Sequence, residues 1–162
     1  MRISQIILPA FAILAIVAFV SCHSNRFYEA NRAIDKAAWA AYNNMAFAVV
    51  IDDTNARYDF YLNIRNDVNY PFSNLFLFLK TTFPDQGIAR DTIECLLSAP
   101  DGKWLGSGMG SVRFNRFLFQ EGVRFRKAGT YVFELQQGMR VDPLKGIRDV
   151  GIRIDKHPAV TQ

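Results

Sequence analysis

The sequence contains few of the residues that build catalytic and metal sites. Among its 162 residues are two His and two Cys. His23 lies next to Cys22, and His157 lies beside Pro158 near the end of the chain, so neither is placed where a fold builds a pocket. A His-dependent triad or a zinc site is therefore not expected. We predict that the protein is not an enzyme and has no catalytic residues, no metal ligands and no small-molecule substrate.

Other features are scarce as well. With six Pro, ten Gly and no internal repeat, the sequence is not collagen-like, Pro-rich or a solenoid. Removal of residues 1–21 leaves 18 basic and 15 acidic side chains, and this excess is too small to indicate a nucleic-acid partner.

The first 22 residues have the pattern of a secretion leader. Arg2 is followed by an apolar run from Ile6 to Val20, whose 15 residues are fewer than the roughly 20 that span a bilayer as a helix. Ser21 directly before Cys22 resembles the lipobox of bacterial lipoproteins, in which the chain is cut before the Cys and the thiol is acylated, for example with palmitate. We predict a covalent lipid on Cys22 as the only cofactor, and two or three acyl chains hold a domain durably on a membrane. An ordinary cleaved leader with an incidental Cys is the alternative.

From Met45 onward, apolar and polar residues alternate with the period of two that is typical of β-strands. This period, short turns such as Asp101-Gly102 and the lack of a long amphipathic helix predict an all-β fold. We expect an antiparallel β-sandwich of roughly eight strands, with a closed barrel as the alternative. The predicted strands cover residues 45–51, 57–65, 75–83 (a central strand), 91–98, 111–119, 123–125, 129–136 and 149–156, with a return strand at Trp104-Leu105.

The predicted organisation has four parts. A signal peptide (1–21) is followed by a lipid-anchored tether (22–44), the β-sandwich domain (45–157) and a C-terminal tail (158–162). The tether contains an Ala-rich stretch, Ala30 to Tyr42, that can form one or two helical turns. Cys95 alternates with polar neighbours and has no disulfide partner once Cys22 carries lipid, so it is predicted to be a small core residue.

Four aromatic residues on the predicted strands can have either of two roles: Tyr61, Phe76, Phe78 and Trp104. Core packing is favoured, because a sandwich has two inner faces to fill. A row of exposed rings would instead suit stacking on sugars or docking of a partner strand. A carbohydrate-binding β-sandwich lipoprotein is therefore the alternative function.

Several stretches resemble the GldH gliding motility lipoproteins of Bacteroidota in order and spacing. They are residues 69–78 (NYPFSNLFLF), 90–94 (RDTIE), 101–106 (DGKWLG), 129–131 (GTY), 137–140 (QGMR) and 144–151 (LKGIRDVG). The resemblance implies an outer-membrane lipoprotein that gliding motility requires, linked to the type IX secretion machinery and without enzyme activity. In this phylum an acidic cluster after the lipidated Cys marks export to the cell surface. Residues 23–26 (HSNR) contain none, so a periplasm-facing position is expected.

A non-catalytic lipoprotein of this kind works through contacts. The predicted partners are the membrane, through the lipid anchor, and other envelope proteins of the gliding and secretion apparatus. Residues in connections and turns are our candidates for partner contact, namely Tyr70, Pro71 and Phe72 between two strands and Trp104 in the hairpin arm. Local packing of these residues is the alternative.

Overall fold

Residues 25–158 are described by a computed structural model, in which two antiparallel four-stranded sheets pack face to face. The strands are β1 (Arg26–Ala33), β2 (Ala38–Trp39), β3 (Met45–Ile51), β4 (Tyr58–Asp67), β5 (Asn74–Thr82), β6 (Ile88–Leu96), β7 (Val112–Val123), β8 (Gly129–Gln137), β9 (Leu144–Lys145) and β10 (Ile147–Lys156). The first sheet has the order β1-β10-β4-β7 and the second has the order β3-β8-β5-β6. A 3₁₀ turn, Asp35–Ala37, follows β1, and β2 pairs with β9.

The two-residue period decides which side chains are buried. β3 alternates buried and exposed side chains along its whole length, and Val150, Ile152 and Ile154 of β10 are fully buried. β5 lies between β8 and β6, so the prediction of a central strand is confirmed, although its outward Phe78 is 45% exposed. The prediction of an all-β sandwich is confirmed.

The sandwich begins earlier in the chain than the sequence predicts. Residues 22–44 were expected to form a tether, whereas β1 pairs with β10 along its length and is an edge strand of the first sheet. The helical turns expected between Ala30 and Tyr42 are replaced by the end of β1, the 3₁₀ turn and β2. The side of β1 that faces β10's buried residues carries Tyr28, Ala30 and Arg32, and only the first two pack against the core. Because this apolar pattern is short, backbone pairing with β10 rather than periodicity places the strand.

Two further strand predictions differ from the structure. The strand expected at 111–119 continues through bulges in its pairing with β4 to Val123, as β7. The second strand expected at 123–125 is not formed, because Arg124 and Phe125 lie in the loop after β7. The return strand expected at Trp104 is reduced to one bridge with Ser98. Here the amide of Leu105 donates a hydrogen bond to the Leu97 carbonyl (2.9 Å), which closes a compact loop instead of extending a ladder.

The C-terminal strand ends at Lys156, one residue before the predicted boundary of the domain. Residues 159–162 of the predicted tail, like residues 1–24, lie outside the described part of the chain. Within residues 25–158, no helix has the length and apolar character needed to cross a bilayer.

The sandwich has one closed side and one open side. On the closed side the edge strands are β1 and β3, and the Arg32 side chain donates from β1 to the Ala46 carbonyl (3.3 Å) and lies over the Phe47 ring. On the open side the edge strands are β6 and β7, and a cavity lies between the two sheets.

The sandwich also has two distinct ends. At the near end, the Asn25 carbonyl accepts a hydrogen bond from the Lys156 amide (2.7 Å). The β5–β6 turn and the β7–β8 loop lie at this end too and are joined by an ion pair between Lys127 and Asp85 (2.6 Å). The far end carries the β4–β5 connection, residues 68–73, and the β6–β7 loop, residues 97–111. The described chain therefore enters the fold at the near end.

Candidate contact surfaces and cavity

The first of the predicted contact residues, Tyr70, is a core residue. Only 4% of its surface is exposed, and its hydroxyl donates a hydrogen bond to the Asn74 carbonyl (3.0 Å). Gly146, whose φ of +93° favours glycine, lies directly against the Tyr70 ring. Burial raises the pKa of the Tyr70 hydroxyl well above its ordinary value. Tyr70 thus stabilises the β4–β5 connection and is not accessible to a partner.

The other three predicted contact residues lie at the far end with intermediate or full exposure. Phe72 and Trp104 are half-buried and pack against the core, whereas Pro71 is exposed. The structure brings their two segments together, because the Ser73 carbonyl accepts hydrogen bonds from the amides of residues 97 and 98 (2.8 and 3.0 Å). The predicted contact segments are therefore neighbours at the far end, and we call their exposed residues the far-end surface.

Two exposed apolar side chains lie in the β6–β7 loop at the same end. Leu105 belongs to the predicted hairpin arm of Trp104, whereas Met109 was not predicted as a contact residue. Leu105 is 59% exposed and Met109 is 95% exposed, both in the β6–β7 loop. The sequence contained a signal for Met109, since Gly108 and Gly110 flank it and glycines on both sides indicate a loop rather than a strand. Their apolar side chains are available to a partner.

The four strand aromatics do not form a shared stacking platform. Phe76 and Phe78 face outward on the second sheet, Tyr61 faces outward on the first sheet, and Trp104 lies in the far-end loop. The row of exposed rings that would favour carbohydrate binding is therefore not built from these four residues.

The outer face of the first sheet carries a polar network centred on Glu29. Its carboxylate accepts hydrogen bonds from Asn63 (2.9 Å), Arg116 (2.7 Å), Arg153 (3.2 Å) and Arg26 (3.3 Å). Burial raises the pKa of this carboxyl, but the hydrogen bonds and the charges of the arginines lower it by more. The pKa of Glu29 is therefore below its ordinary value of 4.5.

One group of side chains in residues 25–158 has ligand atoms close enough to hold a metal: Asp59, Glu121 and His157, with all atoms within 4.8 Å of one another. The sequence suggested that His157 has no such neighbours, yet its Nδ1 atom lies 2.7 Å from Asp59 Oδ1. The same oxygen accepts the Gly122 amide (2.8 Å). We interpret this group as a set of polar contacts that joins the end of β10 to β7. The expectation that the protein binds no metal remains a prediction.

A cavity of about 670 Å³ lies at the near end on the open side. Aromatic rings form much of its wall: Phe60, Phe83, Phe119, Phe125, Tyr131 and Phe133. These rings support one another, with Phe125 4.7 Å and Phe83 5.8 Å from Tyr131 between ring centroids. Charged residues stand among the lining: Asp85, Asp91, Arg124, Arg126 and Lys127. Sequence reasoning did not find the cavity, because it depends on which edge strands face each other across the sandwich.

The two cysteines have different environments. Cys95 is fully buried, and burial, followed by the charge of Glu94, raises the pKa of its thiol to about 12. The prediction that Cys95 is a core residue is confirmed. Cys22 lies outside the described residues, so its lipidation remains a prediction.

Comparison with known proteins identifies the family. The family model described as GldH lipoprotein matches residues 26–154, a range that runs from the first residue of β1 into β10. The chain belongs to the GldH lipoprotein family. It is 36% identical over 151 residues to the gliding motility lipoprotein GldH homolog of Christiangramia forsetii, covering 89% of this chain and 92% of the relative. It is 30% identical over 151 residues to the gliding motility lipoprotein GldH of Flavobacterium johnsoniae, covering 89% and 93%. The GldH resemblance seen in the sequence is confirmed.

Similarity to solved structures does not extend what is known of the fold of this GldH family chain. Two solved structures of the coat protein of tobacco streak virus, one of them of the dimer, are 11% and 10% identical to this chain, and each comparison covers 88% of this chain and 94% of the viral chain. The TM-score of 0.28 in each case is too low to establish a common fold.

Proposed function

We propose that this GldH family protein is a lipid-anchored component of gliding motility, which acts at the periplasmic face of the outer membrane by contact with proteins of the type IX secretion apparatus and without catalysis. The observation that carries the proposal is the match of the sandwich, over 89% of the chain, to two relatives named as gliding motility lipoproteins. The Ser21-Cys22 pair supplies the anchor site.

An acyl chain on Cys22 would hold the sandwich directly on the membrane. Asn25 already forms a backbone hydrogen bond with Lys156, so only two residues separate Cys22 from the fold. At no more than about 3.6 Å per residue, the three steps from Cys22 to Asn25 can span at most about 11 Å. The near end of the sandwich would then face the bilayer, and the far end would face away from it.

This orientation leaves the far-end surface free for protein partners. Pro71, Leu105 and Met109 are exposed in the two connections at this end, which also carry the half-buried rings of Phe72 and Trp104. Exposed apolar side chains that lie together favour interaction sites. Tethering to one membrane also raises the effective concentration of the partners, so weak contacts suffice.

A contact function fits the chemistry of the described residues better than catalysis. Within residues 25–158, the one group of three His, Cys, Asp or Glu side chains within ligand distance of one another is Asp59, Glu121 and His157, and the buried Asp59 carboxylate already has two partners. A nucleophile with an adjacent free base is not assembled there.

The test combines localisation with site-specific crosslinking in a gliding host. A photoreactive amino acid replaces Met109 in the full chain, and the matched control places it at Thr92, an exposed position on β6 away from the far end. We expect Met109 crosslinks to gliding or secretion proteins in the outer-membrane fraction, few crosslinks from Thr92, and release of the Cys22→Ala protein from the membrane.

Two results would contradict the proposal. The proposed anchor would be contradicted if the Cys22→Ala protein stayed in the outer membrane and the intact mass of the wild-type protein showed no lipid on Cys22. Absence of protein crosslinks from Met109, together with binding of the purified protein on a glycan array, would favour the carbohydrate-binding alternative.

A further inference from the structure

The cavity at the near end has the walls of a binding site for an apolar chain. Its volume of about 670 Å³ lies within the range of about 300–1000 Å³ that is usual for small-molecule sites. Four of its six aromatic residues, Phe60, Phe125, Tyr131 and Phe133, are buried in the sandwich core, so the cavity continues the core toward solvent. A ligand with a long apolar body would complete the packing between the edges β6 and β7.

The charges beside the cavity favour an anionic headgroup. Lys127 is paired with Asp85 at 2.6 Å, and this pair contributes little net charge. Among residues 25–158, neither Arg124 nor Arg126 forms an ion pair or a side-chain hydrogen bond. Asp91 is the remaining acidic residue in the lining, so two guanidinium groups stand against one carboxylate. Guanidinium groups bind carboxylates and phosphates through paired N–H donors.

We propose that this cavity binds one acyl chain of an anionic amphipath, with the headgroup held by Arg124 and Arg126 and the chain between the two sheets. The sequence predicted no small-molecule substrate. The proposed ligand is bound and not converted, so the proposal assigns a binding site and no reaction. The inference rests on the proposed function in one respect, because an anchor at Cys22 places the cavity beside the membrane that supplies such lipids.

The position of the chain entry supports this source of ligand. Phe27, two residues after Asn25, contacts the Tyr58 ring at 5.2 Å, and Tyr58 contacts Phe125 of the cavity wall at 5.3 Å. Two ring contacts therefore separate the first residues of the fold from the cavity. A lipid that leaves the bilayer next to the anchor would have a short path to this site.

The test uses the full chain with its native N-terminus, reconstituted in phosphatidylcholine nanodiscs. The probe is palmitic acid with a diazirine in its chain, and peptide mass spectrometry maps the crosslinks. We expect crosslinks on peptides that contain Phe83, Phe119 and Phe125, and fewer with the uncharged methyl ester of the same probe.

Two kinds of variant separate the apolar wall from the headgroup site. Ala89→Trp places an indole among the lining residues, where it occupies volume that the acyl chain needs, and should reduce the cavity crosslinks about fivefold or more. The exposed pair Arg124→Gln and Arg126→Gln should reduce them about tenfold without affecting the core. Asp91→Asn should increase them about twofold, because it removes the acidic neighbour.

The control is Arg140→Gln, an exposed arginine in the connection after β8, which should leave the crosslinks unchanged. Equal labelling of the wild type and the double arginine variant would overturn the headgroup site, as would equal labelling by the acid and its ester. Cavity crosslinks that appear only in Cys22→Ala would show that the anchor's own acyl chain fills the site, and this would also overturn the proposal. Intact mass reports acylation of Cys22 separately, so loss of the proposed anchor is distinguishable from loss of the ligand site.

Discussion

Gly151 lies directly beneath the side chain of Asn31, so closely that a Cβ atom on Gly151 would overlap the Asn31 Oδ1 atom. The two residues are paired across β1 and β10, and Gly151 is paired in turn with Asn63 of β4. The missing side chain lets the Asn31 oxygen approach the Asn63 amide nitrogen, 3.4 Å away. The polar network around Glu29 therefore depends on a glycine at the centre of the first sheet.

We expect Gly151→Ala to lower the free energy of unfolding by about 1–3 kcal/mol, because the new methyl group has no space beside Asn31 and the Ala30 carbonyl. Urea unfolding followed by circular dichroism measures the change. Ala48→Ser, at an exposed outward position of β3, is the control and should stay within about 0.5 kcal/mol of the wild type. An alanine variant as stable as the wild type would show that Asn31 can move aside without cost.

Glu29→Gln should weaken the protein at neutral pH but less in acid. Because the pKa of Glu29 is lowered in the folded state, its contribution is present above its ordinary value of 4.5 and is lost as pH falls through the folded pKa. We expect a loss of about 1–3 kcal/mol at pH 7 that shrinks below pH 4.5. Unfolding curves between pH 7 and pH 3 test this, with the exposed Glu94→Gln as control. A constant difference across that range would contradict the assignment.

The Cys95 thiol should resist alkylation in the folded protein. It is fully buried and its pKa is raised to about 12, so little thiolate is accessible at pH 8. N-ethylmaleimide labelling followed by mass spectrometry should modify Cys95 only after guanidinium is added. Thr92→Cys, exposed on the same strand, should react at once. Rapid native labelling of Cys95 would mean that the β6 edge opens readily.

Variants at the far end should distinguish residues that pack against the core from residues that contact a partner. Trp104→Ala should lower stability by about 1–3 kcal/mol, since the half-buried ring packs against the core. The double variant Leu105→Ser with Met109→Ser should keep the wild-type melting temperature and lose partner crosslinks, because both side chains are exposed. If Trp104→Ala loses partner capture while its melting temperature is unchanged, the ring itself is the contact.

Those elements that depend on local pattern were predictable from the sequence. β3 has the bounds expected from its continuous apolar run. β10 has the bounds expected from alternation to within two residues, because one side chain in two must enter the core. β1 was not predictable in this way, since its place depends on pairing with β10, more than a hundred residues away.

The candidate sites also divide into features that depend on local sequence and features that depend on distant residues. Burial of Cys95 could be predicted from its immediate neighbours, whereas burial of Tyr70 depends on the distant Gly146 that packs on its ring. The cavity depends on the facing edges β6 and β7 and on the loop that carries Arg124. None of these long-range relationships is encoded in a local period.

With the anchor that we propose at Cys22, the two-residue link to the fold would limit how far into the periplasm this protein can extend. The ten residues of β4, at about 3.3 Å each, give the sandwich a height of about 33 Å when its near end rests on the bilayer. With a link of at most about 11 Å, the far-end surface of the anchored protein would stay within a fixed distance of the membrane. A partner anchored in the opposite membrane would then have to cross most of the intervening space to meet it.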